Sequence, residues 1–428
     1  MRRKHLFLFP VFVVLSAFSH PQQAAAQSFG IELHNTLMPA SGGMGGVSIA
    51  RPQDINSALG GNPATLAQFL GTQFTFGGGW IEPTFNLAHT GGVLPNVGAF
   101  AGKSEAEGSA LGNIAVTQDL RDAGIPGTIG IGLLSSAGAG VNWRNIPASN
   151  GTTVLMQILE IGAGIGVDVT DQLSVGATLV LGSSTLDAPF VGIGAAAFDY
   201  ELRGSVGLNY DLAPCTQIGV FYQTTQNFNF DDAIRLDLSG GAFSATLDVN
   251  AGLPDNIGLG IANSSLMDGR LLLAADVLYK QWDNADLFGA VYDNQWVLQL
   301  GAQYEYNSRL RLRAGYVLAE DPLSPNPGNS AGGVIPPGAL AALQYLQGTV
   351  ALANVHRITV GAGIRDVLPG VDMDIFAGGM FENTEQLGAF TTASVESYWV
   401  GSGLTWRFGP RCCRRLPDAD DCGCACDE

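Results

Sequence analysis

Residues 158–181 read ILEIGAGIGVDVTDQLSVGATLVL, and alternate positions in this stretch carry two different kinds of side chain. One set is aliphatic and includes Leu159 and Ile161, whereas the interleaved set is small or polar and includes Glu160 and Gly162. A short polar turn interrupts the pattern once. Alternation with a period of two is typical of β-strands, because successive side chains point to opposite faces. The stretch therefore predicts a hairpin of two long strands, which fits a soluble sandwich or the wall of a membrane barrel.

The first 26 residues have the three-part layout of a secretory signal. Arg2, Arg3 and Lys4 precede an apolar run over 6–18, and alanines at 24–26 supply small residues for cleavage. We therefore predict a signal peptide at 1–26 and an exported chain, and the barrel predicted below would place it in the outer membrane of a Gram-negative-type cell. Beyond it the sequence contains no run of about 18 apolar residues, so only a closed barrel could cross a membrane.

The composition limits the classes of function. The chain has 20 basic and 38 acidic residues, for a formal net charge of −18, which disfavours a nucleic-acid partner. Charged residues are only 14% of the chain and glycines number 58, a mixture too apolar for disorder and too rich in glycine for helices. Strands and turns are the expected elements.

Continued alternation predicts one barrel over 72–408, without a linker. The fourteen predicted strands lie near 72–87, 111–119, 126–137, 154–169, 173–183, 197–211, 215–225, 255–262, 270–282, 294–306, 309–319, 355–366, 371–382 and 397–408. The connections alternate between tight turns and long loops, the long ones being 184–196, 226–254, 283–293, 320–354 and 383–396. Outer-membrane barrels place short turns in the periplasm and long loops outside. We predict an all-β fold, a 14-stranded antiparallel transmembrane β-barrel.

Charged residues within the strands share the parity that faces away from lipid. Asp199, Glu201 and Arg203 alternate on one strand, and Arg311 and Arg313 alternate on another. A charged side chain that faced lipid near the midplane would cost about 2–4 kcal/mol. These residues are therefore predicted to face the lumen.

Two segments flank the predicted barrel. Residues 27–71 show no strand alternation but have low charge and several apolar residues, which favours a plug, or hatch, folded into the lumen over a periplasmic tail. Residues 409–428 form a cysteine-rich tail, predicted to be periplasmic.

Several motifs in order resemble the FadL/TodX family of outer-membrane transporters for long-chain fatty acids and hydrocarbons. In the plug, Asn62, Pro63 and Ala64 follow a glycine-rich stretch. The later motifs are Trp282 with Asp283, Gly301-Ala302-Gln303-Tyr304, Leu312-Arg313-Ala314-Gly315-Tyr316, Pro322, and His356-Arg357-Ile358-Thr359-Val360-Gly361. The resemblance covers almost the whole mature chain to Phe408.

This resemblance implies a fourteen-stranded barrel with an N-terminal hatch and an extracellular apolar capture site. It also implies passive delivery of hydrophobic small molecules through a lateral opening, without a cofactor or an energy source. Partners would be the hydrophobic ligand, outer-membrane lipid and, during biogenesis, the barrel-assembly machinery. A general polar-solute porin is the alternative, and an outer-membrane barrel enzyme such as a lipase is a weaker one.

Two long loops carry candidate ligand-capture residues. The 320–354 loop is predicted to hold a short helix at 339–346 that presents Leu340, Leu343 and Leu346. The 226–254 loop supplies Phe228, Phe230 and Phe243, which are predicted to line the same capture site as the leucines. Exposed loops this apolar need a partner, which is either a bound ligand or the loops themselves packed together.

The start of the third predicted strand is a candidate lateral gate. Gly124, Pro126 and Gly127 interrupt the alternation there, and proline in a closed sheet removes a ladder hydrogen bond. The same residues are also typical of a simple periplasmic turn.

Six cysteines suggest covalent tethering of the tail. Cys215 follows Pro214 in a predicted periplasmic turn, and the others are in the tail, at Cys412, Cys413, Cys422, Cys424 and Cys426. Export favours disulfides, so we predict that Cys215 bonds to a tail cysteine. Metal binding by the tail is the rival interpretation, although it has no histidine nearby.

Catalysis has little support. The mature chain has only His34, His89 and His356, and none stands in a recognisable spacing for a catalytic triad or a metal site. We expect no enzyme activity, no catalytic residues and no cofactor.

Overall fold

A computed structural model describes residues 32–92, 94, 96–187, 193–194, 196–237, 244–328, 337–350 and 355–408. The predicted signal peptide and the cysteine-rich tail lie outside these residues. Within them, no helix combines the length and the apolar character needed to cross a membrane.

The described chain is almost entirely strand. The strands are β1 (Thr72–His89), β2 (Phe100–Lys103), β3 (Ser109–Asp119), β4 (Gly127–Asn142), β5 (Thr153–Asp168), β6 (Leu173–Asp187), β7 (Ile193–Gly194), β8 (Ala197–Ala213), β9 (Thr216–Gln223), β10 (Gln226–Asp237), β11 (Ser244–Leu253), β12 (Asp255–Leu266), β13 (Leu271–Gln281), β14 (Gln295–Glu305), β15 (Leu310–Ala319), β16 (His356–Leu368), β17 (Val371–Leu387) and β18 (Thr391–Phe408). Two α-helices occur, at Ile55–Gly60 and Pro337–Val350, and 3-10 helices at Ser41–Met44, Pro63–Gln68, Arg121–Ala123, Pro147–Ser149, Trp282–Asn284 and Leu287–Ala290.

Fourteen of these strands close into an antiparallel barrel. They are β1, β3 to β6, β8, β9 and β12 to β18, each hydrogen-bonded to the next, and β1 pairs with β18 from Thr72↔Phe408 to His89↔Thr391. The predicted fold class and all fourteen predicted strands are confirmed. β2 adds to the far end of β1, and β7, β10 and β11 form a separate three-stranded sheet.

The two faces of the wall follow the alternation. In the opening hairpin, Ile161 and Leu179 are exposed on the outer face, while Glu160 and Thr178 are buried inside. Arg203 and Arg313 are also buried, as their parity predicts. The tight turns, such as 169–172 and 369–370, gather at one rim, which we call the short-turn end, and the opposite rim is the long-loop end.

The structure replaces one predicted loop with strand and adds a hairpin to another, which remains the connection between barrel strands β9 and β12. The 383–396 region is strand, because β17 runs to Leu387 and β18 begins at Thr391. The 226–254 region contains the β10–β11 hairpin, in which Phe228 pairs with Ala251. Both extensions lie at the long-loop end, beyond the band with an aliphatic outer face, so the alternation that marks a half-buried strand is weak there.

Candidate functional site

The N-terminal segment, residues 32–71, folds into short turns and helices held by side-chain caps. Asp54 accepts a hydrogen bond from Ser57 N, which caps the helix Ile55–Gly60, and its other oxygen accepts from Ala40 N and Ser41 N. Asn62 caps the 3-10 helix that starts at Pro63 by accepting from Ala64 N. Asparagine and aspartate at these positions satisfy backbone donors that a helix start leaves unpaired.

Glycines on the barrel wall let this segment approach the strands closely. A side chain at any of them would collide with or press on the segment: a methyl group at Gly166 would lie 2.8 Å from the Pro63 carbonyl oxygen. We call this set the glycine belt, and it comprises Gly77, Gly130, Gly164, Gly166, Gly176, Gly207, Gly219, Gly260, Gly301, Gly315, Gly361 and Gly403. Because the belt spans eleven of the fourteen barrel strands, the wall encloses the segment.

Hydrogen bonds between the segment and the wall fix its position. Asn62 Nδ2 donates to the carbonyl oxygens of Ile49, at 2.8 Å, and Leu208, at 2.9 Å. Asp276 on β13 accepts from the backbone N–H groups of Ser48, at 2.7 Å, and Ile49, at 3.0 Å. These contacts satisfy buried backbone groups that the irregular segment cannot pair internally.

A buried ion cluster holds the start of the segment. Glu32 accepts hydrogen bonds from Arg203 on β8, at 2.9 Å, from Lys280 on β13, at 3.0 Å, and from Asn256 on β12, at 3.0 Å. All four side chains are buried, and Glu160 lies 4.0 Å from Arg203. One carboxylate therefore joins three strands of the wall.

The electrostatics keep Glu32 ionised and His34 neutral. Burial alone would raise the pKa of Glu32, but the charges of Lys280 and Arg203 outweigh it and hold the pKa well below its usual range. Burial, with the nearby charge of Lys280, lowers the pKa of His34 to about 3. The neutral His34 ring stacks on Phe221, with 5.4 Å between ring centroids.

Large apolar side chains fill the lumen toward the long-loop end. We call them the apolar cluster, and its aromatic members are Phe85, Trp143, Phe228, Phe230, Trp282, Phe288, Tyr292, Tyr345, Phe376 and Trp399. Trp282 stands at its centre, with ring centroids 5.0 Å from Tyr292 and 6.1 Å from Phe288. Lys280 Nζ lies 6.0 Å from the Trp282 ring, so the ion cluster borders the apolar cluster.

Most capture candidates meet in this cluster. Phe228 and Phe230 are fully buried members, and Leu343 and Leu346 pack against it from the helix Pro337–Val350. Leu340 is half-buried on the same helix, and Phe243 lies outside the described residues. Their role as ligand contacts stays a prediction. The helix extends four residues past its predicted end.

Hydrogen bonds hold this helix in the mouth of the barrel. Tyr345 shares a 2.7 Å hydrogen bond with Thr152, and burial raises the pKa of Tyr345 to about 12. Gln347 donates to the carbonyl oxygens of Val291, at 2.9 Å, and Ser324, at 2.8 Å. The loops therefore close over the apolar cluster.

The ladder between β3 and β4 stops before either strand ends. The last pair is Asn113↔Leu134, and a bulge follows between Ser135 and Ala137. Ser135 replaces the ladder with side-chain hydrogen bonds, since its Oγ accepts from Gly112 N at 3.1 Å and donates to Gly112 O at 3.0 Å. We call the gap between 109–112 and 135–141 the wall break, which ends where Asn142 N donates to Ser104 Oγ at 2.9 Å and Asn142 O accepts from Glu105 N at 2.7 Å.

The wall break adjoins the apolar cluster. Leu111 on its β3 side and Ala137 on its β4 side both pack against the cluster. From inside the barrel, the backbone of Glu32 forms an isolated antiparallel bridge with Ala137, so the N-terminal segment covers part of the β4 edge that does not pair with β3. Sequence alternation alone does not reveal the break, because alternation does not show where two strands cease to pair.

The predicted gate residues lie elsewhere, in the turn between β3 and β4 at the short-turn end. Leu120 N donates to Gly127 O at 2.8 Å, and Gly124 has a left-handed φ of +81° that suits a turn. Nearby, Arg121 donates to the Ala67 carbonyl at 3.0 Å and pairs with Asp168 at 2.6 Å. Gly124, Pro126 and Gly127 therefore form the simple turn that was the alternative interpretation.

Cys215 is disulfide-bonded in the turn between β8 and β9, while the five tail cysteines lie outside the described residues. Among the described residues, no group of three or more His, Cys, Asp or Glu side chains could hold a metal ion.

His89 hydrogen-bonds Thr391 at 3.0 Å, and His356 hydrogen-bonds Tyr316 at 2.7 Å. These histidines have structural partners.

Comparison with known proteins identifies the architecture. The chain matches no protein-family model and no curated protein. Solved structures do match. The toluene transporter TodX of P. putida has a TM-score of 0.63 at 18% identity, over 89% of this chain and 99% of that chain. A Pseudomonas aeruginosa FadL homologue gives 0.64 at 14% identity, over 90% and 100%. The Ralstonia pickettii toluene transporter TbuX gives 0.56 at 17%, over 87% and 98%.

The chain has the fold of these channels. The coverage of nearly all of each neighbour means that the likeness extends through the whole barrel, and the resemblance to the FadL/TodX family is confirmed at the level of fold.

Proposed function

We propose that the protein is a passive outer-membrane channel for hydrophobic small molecules, with the apolar cluster as its binding site. One observation carries the proposal: the wall break lies beside the apolar cluster, and the N-terminal segment fills the lumen below them. A molecule held in the cluster meets the N-terminal segment below it and apolar Leu111 and Ala137 at its side. A lateral route keeps apolar surface out of water, which is worth about 25 cal/mol per Å².

In this proposal, residues 27–71 act as the plug, the short-turn end faces the periplasm, and ligands enter at the long-loop end and leave into the bilayer. The names of the fold neighbours, which include toluene transporters, support a hydrophobic ligand over a polar one. A general porin would need an open aqueous path, which the close seat of the plug on the belt opposes.

Blocking the wall break tests the route. In Ala137→Trp, the indole should fill the gap and lower the uptake of radiolabelled toluene into cells at least tenfold. Ala123→Trp, in the exposed turn beside Gly124, is the matched control and should transport at the wild-type rate. Equal uptake by Ala137→Trp and wild type would refute the route, and a loss confined to Ala123→Trp would place the exit at the turn.

A binding measurement distinguishes a blocked exit route from a damaged binding site. Purified Ala137→Trp should still bind toluene in equilibrium dialysis, because the apolar cluster keeps its aromatic members. If the wild-type protein binds and transports no toluene or longer hydrocarbon, the proposed function is wrong whatever the variants do.

A further inference from the structure

The outer wall carries an apolar groove below the wall break. It runs across β3, β4, β5 and β6 and has a volume of about 620 Å³. By comparison, a dry apolar cavity of about 150 Å³ takes up benzene. The groove is therefore large enough for a hydrocarbon chain.

The register of the strands explains the hollow. Ala163 lies between Ile131 and Leu179 in one outward row, and Ala177 lies beside Ile165 in the next. Isoleucine and leucine stand out from the wall as the sides, and the alanines leave a low floor. Most outward positions nearby carry large side chains, so the hollow follows from these two alanines.

The inside of the wall keeps this floor in place. Gly130 and Gly164 pair across β4 and β5, and Leu59 and Leu66 of the N-terminal segment pack against them from the lumen. The groove is therefore a fixed feature of the plugged barrel rather than a gap that neighbouring side chains can fill.

The position of the groove along the barrel axis determines which membrane leaflet it contacts. Ile129 is two residues from the start of β4, and Val116 is three residues from the end of β3, so the groove lies near the short-turn end. In an outer membrane that end faces the periplasmic leaflet, which consists of phospholipid. We propose that the groove is a binding site for one acyl chain of a periplasmic-leaflet phospholipid.

This lipid would lie under the exit. Ile131 precedes Ser135 by four residues, about 13 Å along a strand, so the bound chain would be the first lipid below the wall break. The site goes beyond the proposed transport function, because it needs only the folded barrel in a bilayer.

Native mass spectrometry of the full-length protein, purified in mild detergent, tests the proposal. Wild type should retain one phospholipid, and the groove-filling variant Ala163→Phe/Ala177→Phe should lose that species at least tenfold. Ala275→Phe, which adds the same ring to the outer face of β13, is the matched control and should retain the lipid. Equal retention by wild type and the filled variant would overturn the proposal, as would a barrel that retains no phospholipid.

A second measurement does not depend on the variants folding. A phosphatidylethanolamine with a photoreactive acyl chain should label wild-type peptides containing 129–131 and 163–165 several-fold more than peptides of β13 and β14. Even labelling around the wall would refute the site. Retention of lipopolysaccharide in place of phospholipid, or a dimer that buries the groove, would also overturn it.

Discussion

The two halves of the lumen are filled by opposite means. Toward the short-turn end, the glycine belt admits backbone, and the N-terminal segment sits on it through hydrogen bonds such as those of Asn62 and Asp276. Toward the long-loop end, large aromatic side chains from loops and strands pack without a belt. Backbone packed against glycine can adopt only one arrangement, whereas side chains can change rotamers around a bound ligand. The comparison indicates a fixed closure below and an adaptable site above.

The largest expected effect is at the ion cluster between the halves. Glu32→Ala leaves Arg203 and Lys280 buried without their main counter-ion, which costs about 3–5 kcal/mol. The N-terminal segment should detach, and limited proteolysis should then cleave within 32–71 in the purified variant. Asp268→Asn, in the exposed turn after β12, should stay resistant. A resistant Glu32→Ala would show that the belt alone holds the segment.

A substitution in the glycine belt should destabilise the contact between the segment and the wall by a smaller amount. Gly207→Val places atoms where Asn62 now packs, and such overpacking costs about 1–3 kcal/mol. Steady currents in planar bilayers should rise as the segment leaves its seat. Gly204→Val on the same strand has open space around its side chain and should stay closed. Similar currents from both variants would remove the idea of a tight seat.

Substitutions beside the apolar cluster at the long-loop end should leave the barrel folded but weaken ligand binding. Leu340→Ser/Leu343→Ser/Leu346→Ser removes apolar surface beside the cluster, and we expect toluene affinity to fall about tenfold or more, equal to about 1.4 kcal/mol. The barrel should still shift on heating in gel electrophoresis. Unchanged affinity would mean that these leucines only pack the loop.

The last expected effect is a graded one that depends on pH. His34 has a pKa of about 3 in its seat against 6.5 when released, so the released state binds more protons below pH 6.5. Acidification therefore lowers the free energy that holds the N-terminal segment in the barrel, by up to about 1.4 kcal/mol per pH unit, until the pH falls through 3. Glu32 adds to this below its ordinary pKa, because its seated pKa is depressed. Protease sensitivity of the segment should rise from pH 6.5 to 4.5, and His34→Phe should flatten that rise.

How far the sequence predicts this molecule depends on whether a feature repeats along the chain. Strands such as β5 and β6 repeat every second residue, so all fourteen are predictable. Residues 27–71 were predicted as a segment apart from the strands, but the contacts of 32–71 with the wall were not, because Gly207 meets Asn62 across 145 positions of sequence. The wall break was missed because the pattern within β3 or within β4 does not show where the pairing between the two strands ends. Gly124 and Pro126 drew attention instead, since turn residues are conspicuous in any sequence.

The glycine belt also constrains biogenesis. The segment precedes β1, and the seam that closes the cylinder joins β1 to β18, the last of the described strands. With so little clearance at the belt, threading the folded segment through a finished cylinder is sterically blocked. We therefore expect the seam to close around a segment that already lies inside, so that the absence of side chains at the twelve belt positions sets the order of assembly.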